Sequence, residues 1–149
     1  MTLLRAALTA AVVIAVDQVA KALVRAHVAL GSEDGILPGV QLVHSKNRGV
    51  AFNLLEGKPG IVTAITAAVV IGLLVFFWIN RARPLLWLPV GMLLGGALGN
   101  VIDRVTRDDG VTDFIKLPAW PAFNVADMGI TFGVLALFYV LEGRRDAKA

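Results

Sequence analysis

Residues 61–79 read IVTAITAAVVIGLLVFFWI, nineteen consecutive positions without a charge. A helix over this stretch rises 1.5 Å per residue and is about 28 Å long. That length nearly matches a hydrocarbon core of roughly 30 Å. Lipid offers no partner to backbone N–H and C=O groups, so an apolar run of this kind must be helical. Three further runs flank it. The first is Leu3–Val24, interrupted by Asp17, Gln18 and Lys21; the others begin at Leu85 and Ala122. Spans are expected at about 3–24, 61–79, 85–104 and 122–142. The fold class is therefore an all-α membrane protein, a four transmembrane helix bundle within a single domain over 1–149. Composition agrees: 57% of residues are hydrophobic and 17% charged, against about 25% charged in a soluble domain.

The connections differ in character. Residues 27–58 carry Gly31, Gly35, Pro38, Gly39 and Gly57 around β-prone pieces such as Val40-Gln41-Leu42-Val43. They read as a small extramembrane β-subdomain between helices 1 and 2. Residues 105–121, with Asp108-Asp109-Gly110, read as an extramembrane loop. The link between spans two and three is short, Asn80 to Pro84. The first run admits a second reading. Arg5 and the apolar Ala6–Val16 fit the n-region and h-region of a signal peptide, with Ala20-Lys21-Ala22 as cleavage site. Asp17 lies inside that run rather than after it, and a retained helix is the expectation.

Several chemistries drop out. There is no Cys, so thiol catalysis, disulfides and Cys metal sites are excluded. His27 and His44, the two histidines, lack metal-ligand spacing, and neither serine, Ser32 or Ser45, sits in a G-x-S-x-G elbow. The net charge of +3 forms no basic stripe with interleaved aromatics, so no nucleic-acid partner is expected. No metal and no cofactor are expected.

The polar residues are unevenly placed. Alternating spans put the end of spans one and three and the start of spans two and four at one membrane face. Asp17 and Lys21 lie one turn apart near the end of span one. Asn100, Asp103 and Arg104 close span three on a shared face. Asn124 and Asp127 open span four, and Asp113 precedes them in the loop. Ionisable groups at membrane depth face a bundle interior or a wet cavity. For Asp17, Lys21 and Asp103, simple interhelical pairing explains the pattern as well as function does. For Asp113 and Asp127 function is favoured. Two neighbouring carboxylates cannot both ionise cheaply. One can serve as general base on water while the other donates a proton. Asn47, Asn100 and Asn124 offer neutral donors and acceptors around such a pair. A proton-coupled transporter or channel and a non-catalytic scaffold remain as alternatives on these residues alone. Gly91, Gly95 and Gly99 read as close helix packing, and Trp78, Trp87 and Trp120 as interfacial residues. Counting Lys and Arg leaves orientation open, with six on the side of the termini and eight on the other.

Five motifs in order resemble the bacterial lipoprotein signal peptidases, signal peptidase II. They are Asp17-Gln18-Val19-Ala20-Lys21, Asn47-Arg48-Gly49-Val50-Ala51-Phe52, Gly99-Asn100-Val101-Ile102-Asp103-Arg104, Val111-Thr112-Asp113-Phe114-Ile115 and Phe123-Asn124-Val125-Ala126-Asp127. One departure is Ala20, where the family often has Ser or Thr. The resemblance implies an aspartic endopeptidase that removes signal peptides from prolipoproteins before the diacylglyceryl-modified cysteine. It implies Asp113 and Asp127 as the catalytic pair. Asp17, Lys21, Asn47, Gly49, Asn100, Asp103, Arg104 and Asn124 would line or support the site. It also implies the bacterial cytoplasmic (inner) membrane, cytoplasmic termini and a site toward the extracytoplasmic face. The expected partners are the diacylglyceryl-modified prolipoprotein, membrane lipids and globomycin-type cyclic peptide inhibitors. A monomer suffices for this chemistry.

Overall fold

The computed structural model describes residues 1–49, 59–107 and 109–142. Among them are four helices and three strands: α1 (Thr2–His27), β1 (Glu33–Leu37), β2 (Val40–Asn47), α2 (Pro59–Asn80), α3 (Trp87–Thr106), β3 (Val111–Lys116) and α4 (Val125–Glu142). Each helix overlaps one of the apolar runs. α1 runs three residues past the expected end, and α4 starts at Val125 rather than at Ala122. The Val50–Phe52 part of the second motif and residues 53–58 of the expected β-subdomain lie outside the described residues.

α3 organises the helices. Its glycines remove the side chains that would hold neighbours apart. A Cβ on Gly91 or Gly95 would run into Ala6, Thr9, Ala10 and Val13 of α1. One on Gly96 would strike the Ala126 carbonyl and Ile130 of α4. The contacts run in the same sense along α1 and in the opposite sense along α4, so α3 is parallel to α1 and antiparallel to α4. α2 joins through Phe77, which shares an apolar cluster with Leu86, Val90 and Leu94. Arg5 lies over Trp87 and Arg81 over Trp78 at the end of the helices remote from the sheet. Such pairs suit a membrane–water interface.

Among the described residues α1, α2 and α4 are long and apolar enough to cross a membrane; α3 is not one of them. The cause lies in its position. α3 is buried along much of its length, including Val90, Gly95, Asn100 and Asp103. A helix enclosed by protein can carry glycines and polar groups that a lipid-facing helix cannot.

The sheet corrects one expectation. Residues 105–121 are not all loop: they supply β3, and the antiparallel order is β1-β2-β3. The small sheet is therefore built from two connections rather than from residues 27–58 alone. Gly39 turns the β1–β2 hairpin with φ of 79°, a left-handed conformation that glycine adopts without strain. β3 is an edge strand of this sheet, and its Val111–Phe114 are all buried, which sets it against the ends of α1 and α3.

Candidate active site

Two local structures fix the two carboxylates. Asp113 stands on β3. Asn47 on β2 pairs in register with Val111, two residues from Asp113, so the two side chains share a sheet face. Asn47 Nδ2 donates to Asp113 Oδ2 at 3.1 Å. Asp127 stands in the first turn of α4. Asn124 caps that helix: its Oδ1 accepts the Asp127 N–H at 2.9 Å, and its own N–H donates to Asp127 Oδ2 at 3.1 Å. This reciprocal capping box satisfies two orphan groups of the helix start.

Asn124 also reaches the other carboxylate, donating from Nδ2 to Asp113 Oδ1 at 2.6 Å. Asn100 on α3 donates to Asp127 Oδ1 at 2.8 Å. Each described carboxylate oxygen of the pair therefore holds an N–H donor. Asp113 is 2% exposed. Burial, and then the charge of Asp127, push its carboxyl up to about 7, while Asn47, Asn124 and Lys21 pull the other way. The pair can thus retain one proton near neutral pH.

Both aspartates line a cavity of about 440 Å³, with Asn47, Asn100 and Arg104 on the same wall. Away from them the lining turns apolar, with Ile65, Val69 and Leu73 of α2 opposite Leu93, Ala97 and Ile130 of the other helices. The site is polar at the end nearest the sheet and apolar between the helices.

The remaining residues singled out in the sequence divide. Asp17, Lys21 and Asp103 are fully buried and lie beneath the cavity rather than on its wall. Lys21 Nζ pairs with Asp17 at 2.7 Å and Asp103 at 3.3 Å. Asp17 Oδ1 accepts the Ala126 N–H at 2.9 Å, and Asp103 Oδ2 accepts the Thr112 N–H at 3.1 Å. This cluster ties α1 and α3 to the start of α4 and to β3. Arg104 Nη2 donates to the Gly49 carbonyl at 3.0 Å, and Gly49 N–H donates to Asn47 Oδ1 at 3.0 Å.

Two residues of the arrangement carried no role in the sequence reading. Gln18 Nε2 contacts Asp17 Oδ2, the Gly99 carbonyl and Asp103 Oδ1. Thr112, fully buried, accepts from Arg25 at 3.3 Å and Lys46 at 3.1 Å. Their only signal was adjacency to the aspartates at 17 and 113.

The family model described as signal peptidase (SPase) II matches residues 9–142. The chain belongs to the signal peptidase II family. A lipoprotein signal peptidase of Syntrophomonas wolfei is 37% identical over 139 residues, covering 91% of this chain and 93% of that protein. One from Moorella thermoacetica is 39% identical over 136 residues, covering 90% of each. Two solved structures, each described as a bacterial membrane enzyme determined by the in meso method, share the fold. One has a TM-score of 0.87 at 31% identity, covering 97% of this chain and 91% of its own. The other has 0.80 at 32%, covering 92% of each. As a signal peptidase II family member the protein is a membrane peptidase of the aspartic class, processing prolipoproteins by removing their signal peptides. Transport and a purely structural role, open on the isolated residues, give way to this enzyme assignment.

Proposed function

We propose that Asp113 and Asp127 are the catalytic pair of this signal peptidase II and cut the prolipoprotein immediately before its diacylglyceryl-modified cysteine. The observation that carries the reading is that both carboxylates line one cavity and are held by a common residue, Asn124. No nucleophilic side chain is needed for this chemistry. The ionised carboxylate takes a proton from water as the water oxygen attacks the scissile carbonyl. The protonated partner gives its proton to the carbonyl oxygen. The tetrahedral intermediate then collapses. Its C–N bond breaks, a proton passes to the leaving nitrogen, and the pair is left sharing one proton again. Products are the signal peptide's new carboxyl terminus and the free amine of the lipidated cysteine.

Substrate chemistry supports the same reading. A diacylglyceryl cysteine keeps its acyl chains in lipid, so the scissile bond sits near the membrane surface. The pair lies where the helix ends meet the sheet, and the apolar part of the cavity extends between the helices from there. Confinement of enzyme and substrate to one membrane converts much of the encounter cost into effective concentration. In this reading all four helices span the cytoplasmic membrane, α3 shielded by its neighbours, with termini in the cytoplasm and the sheet outside. Globomycin-type cyclic peptides are expected to occupy the cavity, and the enzyme is expected to act as a monomer.

The test is a gel-shift cleavage assay on a diacylglyceryl-modified prolipoprotein. Wild type should release the signal peptide, and Asp113→Asn and Asp127→Asn should remain folded yet inactive. Full turnover by either folded variant overturns the assignment of the pair.

A further inference from the structure

Lys21 is fully buried, and its ammonium offers three donors and no acceptor. Three acceptors surround it: Asp17 Oδ2 at 2.7 Å, Asn100 Oδ1 at 3.0 Å and Asp103 Oδ2 at 3.3 Å. The contact with Asn100 decides which end of that amide faces which way. With its oxygen turned to Lys21, Asn100 can only present its NH2 group to Asp127 Oδ1, at 2.8 Å. A flipped amide would set NH2 against the ammonium and oxygen against the carboxylate, two unfavourable contacts inside a buried site. The same Asn100 oxygen also accepts Asn124 Nδ2, at 3.1 Å. That acceptor fixes the second amide, so the nitrogen of Asn124 is the end that meets Asp113 Oδ1.

We infer that Lys21 is a positioning residue for the aspartate pair, acting through Asn100 to keep both asparagine amides with their donors facing the carboxylates. The inference rests on the proposed roles of Asp113 and Asp127 and adds a residue that reaches them through another side chain. A structural role competes with it, because Lys21 also neutralises Asp17 and Asp103. The charged groups gathered here are Lys21, Asp17 and Arg25 from α1, Asp103 and Arg104 from α3 with Arg107 just past its end and 3.8 Å from Asp103, Asp113 from β3 and Asp127 from α4. Among them Lys21 supplies a positive charge that holds down the proton affinity of Asp113. Losing it raises the pH at which the pair gives up its shared proton. A lysine that served only to hold helices together would lower stability and leave kcat of the folded variants unchanged.

The experiment measures kcat and KM for prolipoprotein cleavage across the neutral pH range in wild type, Lys21→Met and Lys21→Met/Asp103→Asn. The double variant removes one cation and one anion, so the buried cluster keeps its net charge and its route to folding. Thermal unfolding in detergent reports which variants fold. Expected for both is a kcat loss of roughly tenfold or more, drawn from the 10²–10⁴ that positioned acid–base groups contribute, with KM little changed. In Lys21→Met the alkaline loss of activity should also move to higher pH. Wild-type kcat in either folded variant overturns the inference, as does an unshifted pH profile in a folded Lys21→Met. If neither variant folds, Lys21 is a structural residue and the inference falls. Asp113→Asn in parallel separates this from the assignment of the pair: turnover by that variant sinks the assignment, whatever Lys21 does.

Discussion

Asn124 Nδ2 lies 2.6 Å from Asp113 Oδ1, so the residue that caps α4 also clamps the carboxylate on β3. The two aspartates come from elements with no shared backbone pairing, and this side chain is what couples their positions. Asn124→Ala would strip a donor from Asp113 and the acceptor from the Asp127 N–H. Removing one partner of a buried polar contact costs about 1–3 kcal/mol, and losing an N-cap costs about 1 kcal/mol. Asn124→Ala should therefore lower both thermal stability in detergent and kcat. A variant with wild-type kcat would show that the aspartates hold their places without Asn124.

The pH dependence follows from Asp113, whose carboxyl is pushed up to about 7 from an ordinary 3.8. A group with a raised folded-state value stabilises the fold fully below its unfolded value. That contribution is lost as pH rises through the folded value. Between about pH 4 and 7 wild-type stability should fall with pH, with a slope of up to about 1.4 kcal/mol per unit from this group. Asp113→Asn should flatten that slope while losing turnover. Wild-type kcat/KM should decline above neutrality as the shared proton leaves. Thermal melts at several pH values check the first, and initial rates check the second.

How much of this was legible in the sequence depends on the kind of interaction. Apolar runs mark helices because lipid leaves the backbone no alternative, and all four helices lie on such runs. The glycines at 91, 95 and 99 signalled close packing, but a sequence does not say which neighbour each meets. Gly91 and Gly95 face α1, whereas Gly99 lies between Asp17 and Ala126. β3 was missed because its pairing with β2 is non-local, joining Asn47 to Val111, and a short buried strand bounded by turns carries no period-2 alternation. Asp113 and Asp127 stood out as carboxylates beside apolar runs. The division of the other polar residues into a cavity wall and a buried cluster depends on contacts across α1, α3 and β3, which no spacing encodes.

Close packing makes a separate prediction. A methyl group at Gly96 would collide with the Ala126 carbonyl and Ile130, whereas one at Gly72 on α2 meets nothing within 4 Å. Overpacking a tight crossing costs about 1–3 kcal/mol. Gly96→Ala should destabilise by that order and push α4 outward beside Asp127, reducing turnover. Gly72→Ala should leave stability unchanged or raise it by up to about 1 kcal/mol through helix propensity. Parallel thermal melts decide the matter, and equal behaviour of the two variants would show that the α3–α4 crossing is less tight than described.

Arg104 supports the pair from the opposite side. Its guanidinium donates to the Gly49 carbonyl, Gly49 N–H holds the oxygen of Asn47, and the nitrogen of Asn47 is thereby turned to Asp113 Oδ2. Arg104 also lines the cavity, so substrate contact and support of Asn47 are both open to it. The two roles separate kinetically. If support dominates, Arg104→Ala lowers kcat and leaves KM little changed, because the misplaced Asn47 weakens the transition state more than the bound substrate. Arg104→Lys should then restore part of kcat, since an ammonium can still donate to one carbonyl although it lacks the planar fork. If substrate contact dominates, KM rises with kcat preserved and Lys rescues little. We expect the kcat pattern, with a loss of roughly tenfold or more within the 10²–10⁴ range of positioned acid–base groups, because the hydrogen bond from Arg104 ends on the backbone beside Asn47.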